Sequence, residues 1–304
     1  MLAKSLFIHF HGSFFLCAVA TQIAMVNSAC DGQTFTYDLT SILLYGTACY
    51  FVTNVSCVIE NEFKFRFFNP TLTLWFRTRY YVLKCKDKDK DLCCKLKCFL
   101  FAFLEATCEV AGAFSAAVAF VGLREYTPST MPKSLLAALL HSSDGTNAFL
   151  LILVQTAALC SLMFFIHVNF KGCKFNKDRL ECRLAFLHYG IMIILVTATL
   201  STITGGTLNI AITSAAAIID SGIKVNGYGQ ILIVNLSSSI LALIASLCVY
   251  LSYQIAFNMS PADQHVETSW DDNDDNSVEV QITQGEQRNS TRARSTASRS
   301  SWGL

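Results

Sequence analysis

Six runs of mostly apolar residues, at 5–26, 39–59, 98–123, 148–168, 184–205 and 230–257, alternate with polar stretches along the chain. Crossing a hydrocarbon core of about 30 Å takes roughly 20 helical residues, so each run is long enough to span a bilayer. The apolar residues come in solid blocks rather than with the one-sided period of a soluble amphipathic helix. The predicted fold class is therefore all-α, a polytopic integral membrane helix bundle of about six transmembrane helices. A cleaved signal peptide ending after Ser28 is the rival reading of the first run and would leave five spans. The run is longer than a signal-peptide core and contains His9, His11 and Gln22, which favours a retained span.

Charge sets the expected orientation. Between residues 61 and 97 there are ten Lys and Arg against four acids, and between 171 and 183 there are five against two. Basic loops stay on the cytoplasmic side, and these two are separated by two spans, as the rule requires. The connections 124–147 and 206–229 hold few cations and fall outside. Six spans with N- and C-termini both cytoplasmic satisfy every loop, without deciding between plasma membrane and intracellular vesicles. The resulting division is an N-terminal pair of spans at 1–60, a basic aromatic cytoplasmic loop at 61–97, a four-span bundle at 98–257 and a cytoplasmic tail at 258–304. The tail is acidic and then rich in Ser, Thr and Arg, a composition that predicts disorder.

Composition agrees with this picture. Hydrophobic residues make up 53% and charged residues 15% of the 304, with a mean hydropathy of +0.43, which excludes an ordinary soluble domain. Thirteen cysteines would signal a disulfide scaffold in a small secreted chain, but here all except Cys30, which falls in an external connection, lie in the apolar runs or in or beside the basic loops. In layout alone, the four spans from Cys98 to Phe257 resemble four-span vesicle and junction proteins of the MARVEL and synaptogyrin type. No motif accompanies that likeness, and no residue role is carried over from it. No internal repeat of the inverted-transporter kind is visible.

Glu105 and Glu109 are the sharpest chemical signal. Four residues apart on one helix face, they lie deep enough that a carboxylate costs several kcal/mol unless it is protonated, hydrated or paired. One reading has Glu105 reaching toward the cytoplasmic face while Glu109 hydrogen-bonds a neighbouring span. The others are a proton or cation path and an assembly contact with another membrane protein. His188 and Asn235, with Gln155, are candidate intramembrane partners. Beyond them, the small residues from Ala111 to Ala119 predict close helix packing, within the chain or in a homo-oligomer. Residues 205–220 are apolar for about a dozen positions after a Gly pair, which predicts a re-entrant or interfacial helix, or else an external cap.

In the longer basic loop, Lys64, Arg66, Arg77 and Arg79 alternate with aromatic rings. Their place beside a span points to lipid headgroups rather than nucleic acid, so membrane lipids are the expected partner. Juxtamembrane Cys93 and Cys94 suit palmitoylation better than zinc, whose paired spacing is missing. Ser295, which follows Arg294, and the nearby Ser298 are candidate phosphorylation sites. The last three residues offer a weak match to a PDZ-domain ligand. No GxSxG, HExxH or phosphate loop is present, and no enzyme activity, metal or cofactor is expected. The expected function is that of a non-enzymatic membrane organising, trafficking or adaptor component. The alternative is a channel or transporter that uses Glu105 and Glu109.

Overall fold

A computed structural model describes residues 2–31, 39–60, 66–84, 92–124, 147–171, 179–204, 208–222 and 228–256. These residues form eight helices and no strands: α1 (Leu2–Asp31), α2 (Leu39–Glu60), α3 (Pro70–Lys84), α4 (Leu92–Arg124), α5 (Ala148–Lys171), α6 (Arg179–Thr204), α7 (Ile210–Gly222) and α8 (Tyr228–Ala256). Six of them, α1, α2, α4, α5, α6 and α8, are long and apolar enough to cross a membrane, matching the six expected runs. The chain is an integral multi-pass helical membrane protein.

The other two helices are the departure from expectation. At 15 and 13 residues, α3 and α7 are about 22 and 20 Å long, too short to cross. Both are nonetheless buried in the bundle, through Leu72, Trp75 and Arg79 on α3 and Ala211, Ile212 and Ala215 on α7. The described part of 205–220 is thus a short helix, or half-helix, buried among the spans, which fits the re-entrant alternative for that segment. The stretch 61–97, expected as a cytoplasmic loop, contains a second one. Its Arg and Tyr residues lowered the local hydropathy and hid the helix from a count of apolar runs.

The order long, long, short, long occurs twice. Contacts repeat with it: α1 packs on α2 and α4 as α5 packs on α6 and α8, while α3 packs on α4 as α7 packs on α8. Across the halves α4 meets α7 and α8 meets α3, and α2 crosses its own counterpart α6. Three spans per half mean that the second half enters the membrane with the opposite orientation, so α3 and α7 dip in from opposite faces. The expectation of no inverted repeat is therefore corrected. At corresponding places the halves carry Asn69-Pro70-Thr71 and Asn209-Ile210-Ala211, which share the asparagine.

Those tripeptides start the half-helices. Asn69 Oδ1 accepts a hydrogen bond from the Thr71 amide at 3.1 Å and Asn209 Oδ1 one from Ala211 at 3.0 Å, each asparagine capping its helix. Pro70 takes the first helical position, where its missing N–H costs nothing. Small side chains then let the long helices close around the pair. A Cβ on Gly112 of α4 would collide with the Phe10 carbonyl of α1, and Gly46 and Gly190 face each other where α2 crosses α6. Without a hydrophobic drive between helices in lipid, this close contact is a main source of association. The small segment of α4 accordingly packs within the chain.

Candidate functional site

Two polar clusters sit inside the bundle. The first is where the half-helices meet. Asn69 Nδ2 donates to the Leu208 carbonyl at 3.1 Å, and Asn209 Nδ2 donates to the Phe68 carbonyl at 2.9 Å. Each capping asparagine thus holds the residue that precedes the other, and the crossed bonds tie the two helix starts together. An amide nitrogen carries two hydrogens, so each has a second one to offer. Both helix N-termini also present the positive end of a backbone dipole to the same place.

Beside the asparagines lies a cavity of about 10 Å³, lined among others by Tyr45, Cys49, Phe67 and Tyr189. That is room for about one water molecule. Its wall is rigidly built. Tyr189 donates to the Phe67 carbonyl at 3.4 Å and packs edge-on against the Phe67 ring, while Thr53 donates to the Arg66 carbonyl at 3.2 Å. Phe68 turns the chain into Asn69 with a φ of 52°, a left-handed conformation costly for a bulky residue. Its ring is fully buried over Gly12 of α1, where any side chain would collide with it.

The second cluster joins α1, α4, α3 and the segment leading into α3. Arg77 forks onto Glu105 through Nε at 3.1 Å and Nη2 at 3.0 Å, and Ser5 donates to the same carboxylate at 2.8 Å. Arg66 Nη1 lies 3.7 Å from Glu105 and donates to Ser5 Oγ at 2.9 Å. One turn deeper, Glu109 contacts His9 Nδ1 at 2.6 Å and accepts from Thr73 Oγ1 at 2.8 Å. His9 Nε2 sits 3.7 Å from Glu105, linking the two carboxylates. His9 and Glu109 are essentially inaccessible. Thr73 and Arg77, four residues apart, put the bonding face of α3 against α4.

Glu105 and Glu109 therefore come together, but neither lines the cavity at the asparagines. Their partner is His9, one hundred residues away in sequence, and not His188, which is exposed on α6. Asn235 is buried on α8, outside this cluster. The lipid-contact expectation is corrected for Arg66 and Arg79, which are 4% and 5% exposed, and for Arg77, which is committed to Glu105. Arg79 stacks its guanidinium over Trp75 and Tyr250. A count of loop charge cannot see that these cations face protein acids and rings. Lys64, Ser295 and Ser298 lie outside the described residues; Cys93 and Cys94 fall in the first turn of α4, with their side chains outside them. Among the described residues there is no group of three or more His, Cys, Asp or Glu placed to hold a metal ion.

Sequence reasoning missed the asparagine pair. The available signal was Asn69-Pro70, a helix cap followed by the residue favoured at the first helical position, within a stretch read only for its charge.

No protein-family model and no curated protein matches the chain. Among solved structures it is similar to the aquaglyceroporin from Plasmodium falciparum, with a TM-score of 0.55 over 83% of this chain and 100% of that one. Identity is 16%, so the likeness is one of fold.

Proposed function

We propose that this protein is a membrane channel for small uncharged molecules about the size of water, with the passage running between the two half-helices. The observation that carries this reading is the crossed pair of capping asparagines beside a cavity about one water wide. Amide hydrogens there can replace part of a solute's hydration, and two converging positive helix ends disfavour a cation. The shared fold with an aquaglyceroporin supports the same reading. A membrane-organising role rested on charge and on a four-span layout, and the four spans now belong to an inverted pair of three-span halves. Glu105 and Glu109 enter as the anchor of α3 rather than as a conduction path.

Purified protein in liposomes should raise the rate of osmotic shrinkage several-fold over protein-free vesicles. Cys49→Phe, which adds a ring to the cavity wall, should return it to the protein-free rate while the protein stays monodisperse. Wild-type vesicles that shrink no faster than empty ones, at verified reconstitution, would refute the channel.

For orientation, we place both termini and both basic loops in the cytoplasm, on the strength of the positive-inside asymmetry. Cys85, just past the end of α3, should then resist an impermeant maleimide in intact cells and react after permeabilisation. Labelling of Cys85 in intact cells overturns this orientation.

A further inference from the structure

The two halves of the bundle are packed unequally. In the first, Gly112, Ala113, Ala116 and Ala117 of α4 admit close neighbours, and α7 answers with Ala211, Ala215 and Ala216. In the second half the corresponding contact is α3 against α8, and there α3 presents Trp75 and Arg79. The Arg79 guanidinium lies 5.5 Å from the centre of the Trp75 ring and 4.8 Å from that of Tyr250 on α8. Side chains of this bulk hold the helices apart. A crevice of about 890 Å³ results, walled by α5, α6 and α8 with Trp75 of α3 on its lining. This lies within the range of roughly 300–1,000 Å³ typical of ligand sites.

The lining selects hydrocarbon. Its two serine hydroxyls are used within the protein: Ser161 donates to the Ala157 carbonyl at 2.8 Å, and Ser246 donates to Met163 Sδ at 3.0 Å. His167 stands edge-on to the Tyr250 ring. The rim is Phe164, Val168 and Val249, each more than half exposed. Apart from the His167 ring, the lining is mainly apolar, so a strongly polar solute entering here would lose most of its water without replacement.

Position selects the source. Val168 ends the apolar stretch of α5, and Tyr250 lies two residues before the end of that of α8, so the crevice opens at acyl-chain depth below one interface. Only 28% of the apolar stretch of α5 and of α8 is buried, against 50% for α1 and α2, which marks these as flanks turned to lipid. Past Val168, α5 runs on to Lys171, where the sequence 171–183 carries its five cations against two acids. That end favours a negative headgroup. We propose that the crevice is a binding site for one acyl chain of an anionic phospholipid. Because Trp75 belongs to the helix that Asn69 caps, a seated chain braces α3 from the side opposite its ionic anchor.

Native mass spectrometry of the full-length protein in detergent tests this, after equilibration with phosphatidylglycerol or with phosphatidylcholine of identical chains. We expect one anionic lipid retained per chain, several-fold more often than the choline lipid. Ser161→Trp fills the crevice from α5 and Ser246→Phe fills it from α8; whichever folds should lose the retained lipid with no fall in melting temperature. Equal retention of the two lipids, or undiminished retention in a folded filled variant, overturns the proposal. So do disulfide-linked dimers of Phe164→Cys in native membranes, which would mean that a second copy covers this face. None of these readouts depends on conduction, so failure of the channel reading leaves the lipid site standing, and the reverse.

Discussion

Glu105→Ala should abolish accumulation of the folded protein. The substitution takes the Glu105 carboxylate away from Arg66, whose guanidinium is buried, and from Arg77, whose guanidinium is half-buried. Breaking a buried pair by removing one partner costs about 3–5 kcal/mol. Typical folded-state stability is about 5–15 kcal/mol, so the loss consumes much of it. Glu109 should separate two kinds of change. Glu109→Gln keeps a side-chain oxygen able to accept from Thr73 and His9, whereas Glu109→Lys puts an unmatched cation next to His9 at the most buried point of the cluster. We expect Gln to lower yield modestly and Lys to eliminate it. Size-exclusion profiles and melting temperatures in detergent are the measurements. An Ala variant at Glu105 as stable as wild type, or Gln and Lys at Glu109 that fail equally, would mean that the cluster does not anchor α3.

The asparagine pair should give the largest effect on conduction. Removing either side chain deletes a helix cap, worth about 0.5–2 kcal/mol, and leaves a buried carbonyl, Leu208 or Phe68, without its amide donor, at about 1–3 kcal/mol. Because the two bonds cross, the second substitution finds a junction already loosened. The double variant Asn69→Ala, Asn209→Ala should be less destabilised than the sum of the single variants by about 0.5 kcal/mol or more. The protein-dependent part of the osmotic permeability, above that of empty vesicles, should fall at least tenfold in each single variant. A strictly additive cycle would show that the halves are held elsewhere, and full permeability in either variant would remove these amides from the solute's path.

What could be read from the sequence follows from which signals are local. Hydropathy is local, and it located all six spans. It failed at α3 because Arg77 and Arg79 sit on a helix that crosses only part of the membrane, and their partners, Glu105 and two aromatic rings, are contributed by α4, α3 itself and α8. The segment of α7 carried no such charge and was read in part, since its apolar dozen was too short for a further span. Glu105 and Glu109 stood out because an acid in an apolar run is anomalous by itself, but their bond to His9 spans one hundred residues and left no pattern. The repeat was invisible for a related reason. Lipid-facing positions accept almost any apolar residue, and at the two helix starts the shared signal is a single asparagine that caps its helix and reaches across.

The placement of the ionic cluster also bears on the order in which the chain is made. Every group in it, from Ser5 to Glu109, belongs to the first half, so its buried charges need no residue after position 109 to find their counterions. Newly made helices α1 to α4 can therefore reside in the bilayer without exposing those charges to lipid, awaiting no later segment for neutralisation. The amides of Asn69 have no such independence. Their acceptor is Leu208, and until α7 arrives from the opposite face the junction that we assign to the solute does not exist. The groups that neutralise the buried charge are thus complete in the first half alone, while the junction between the half-helices needs both.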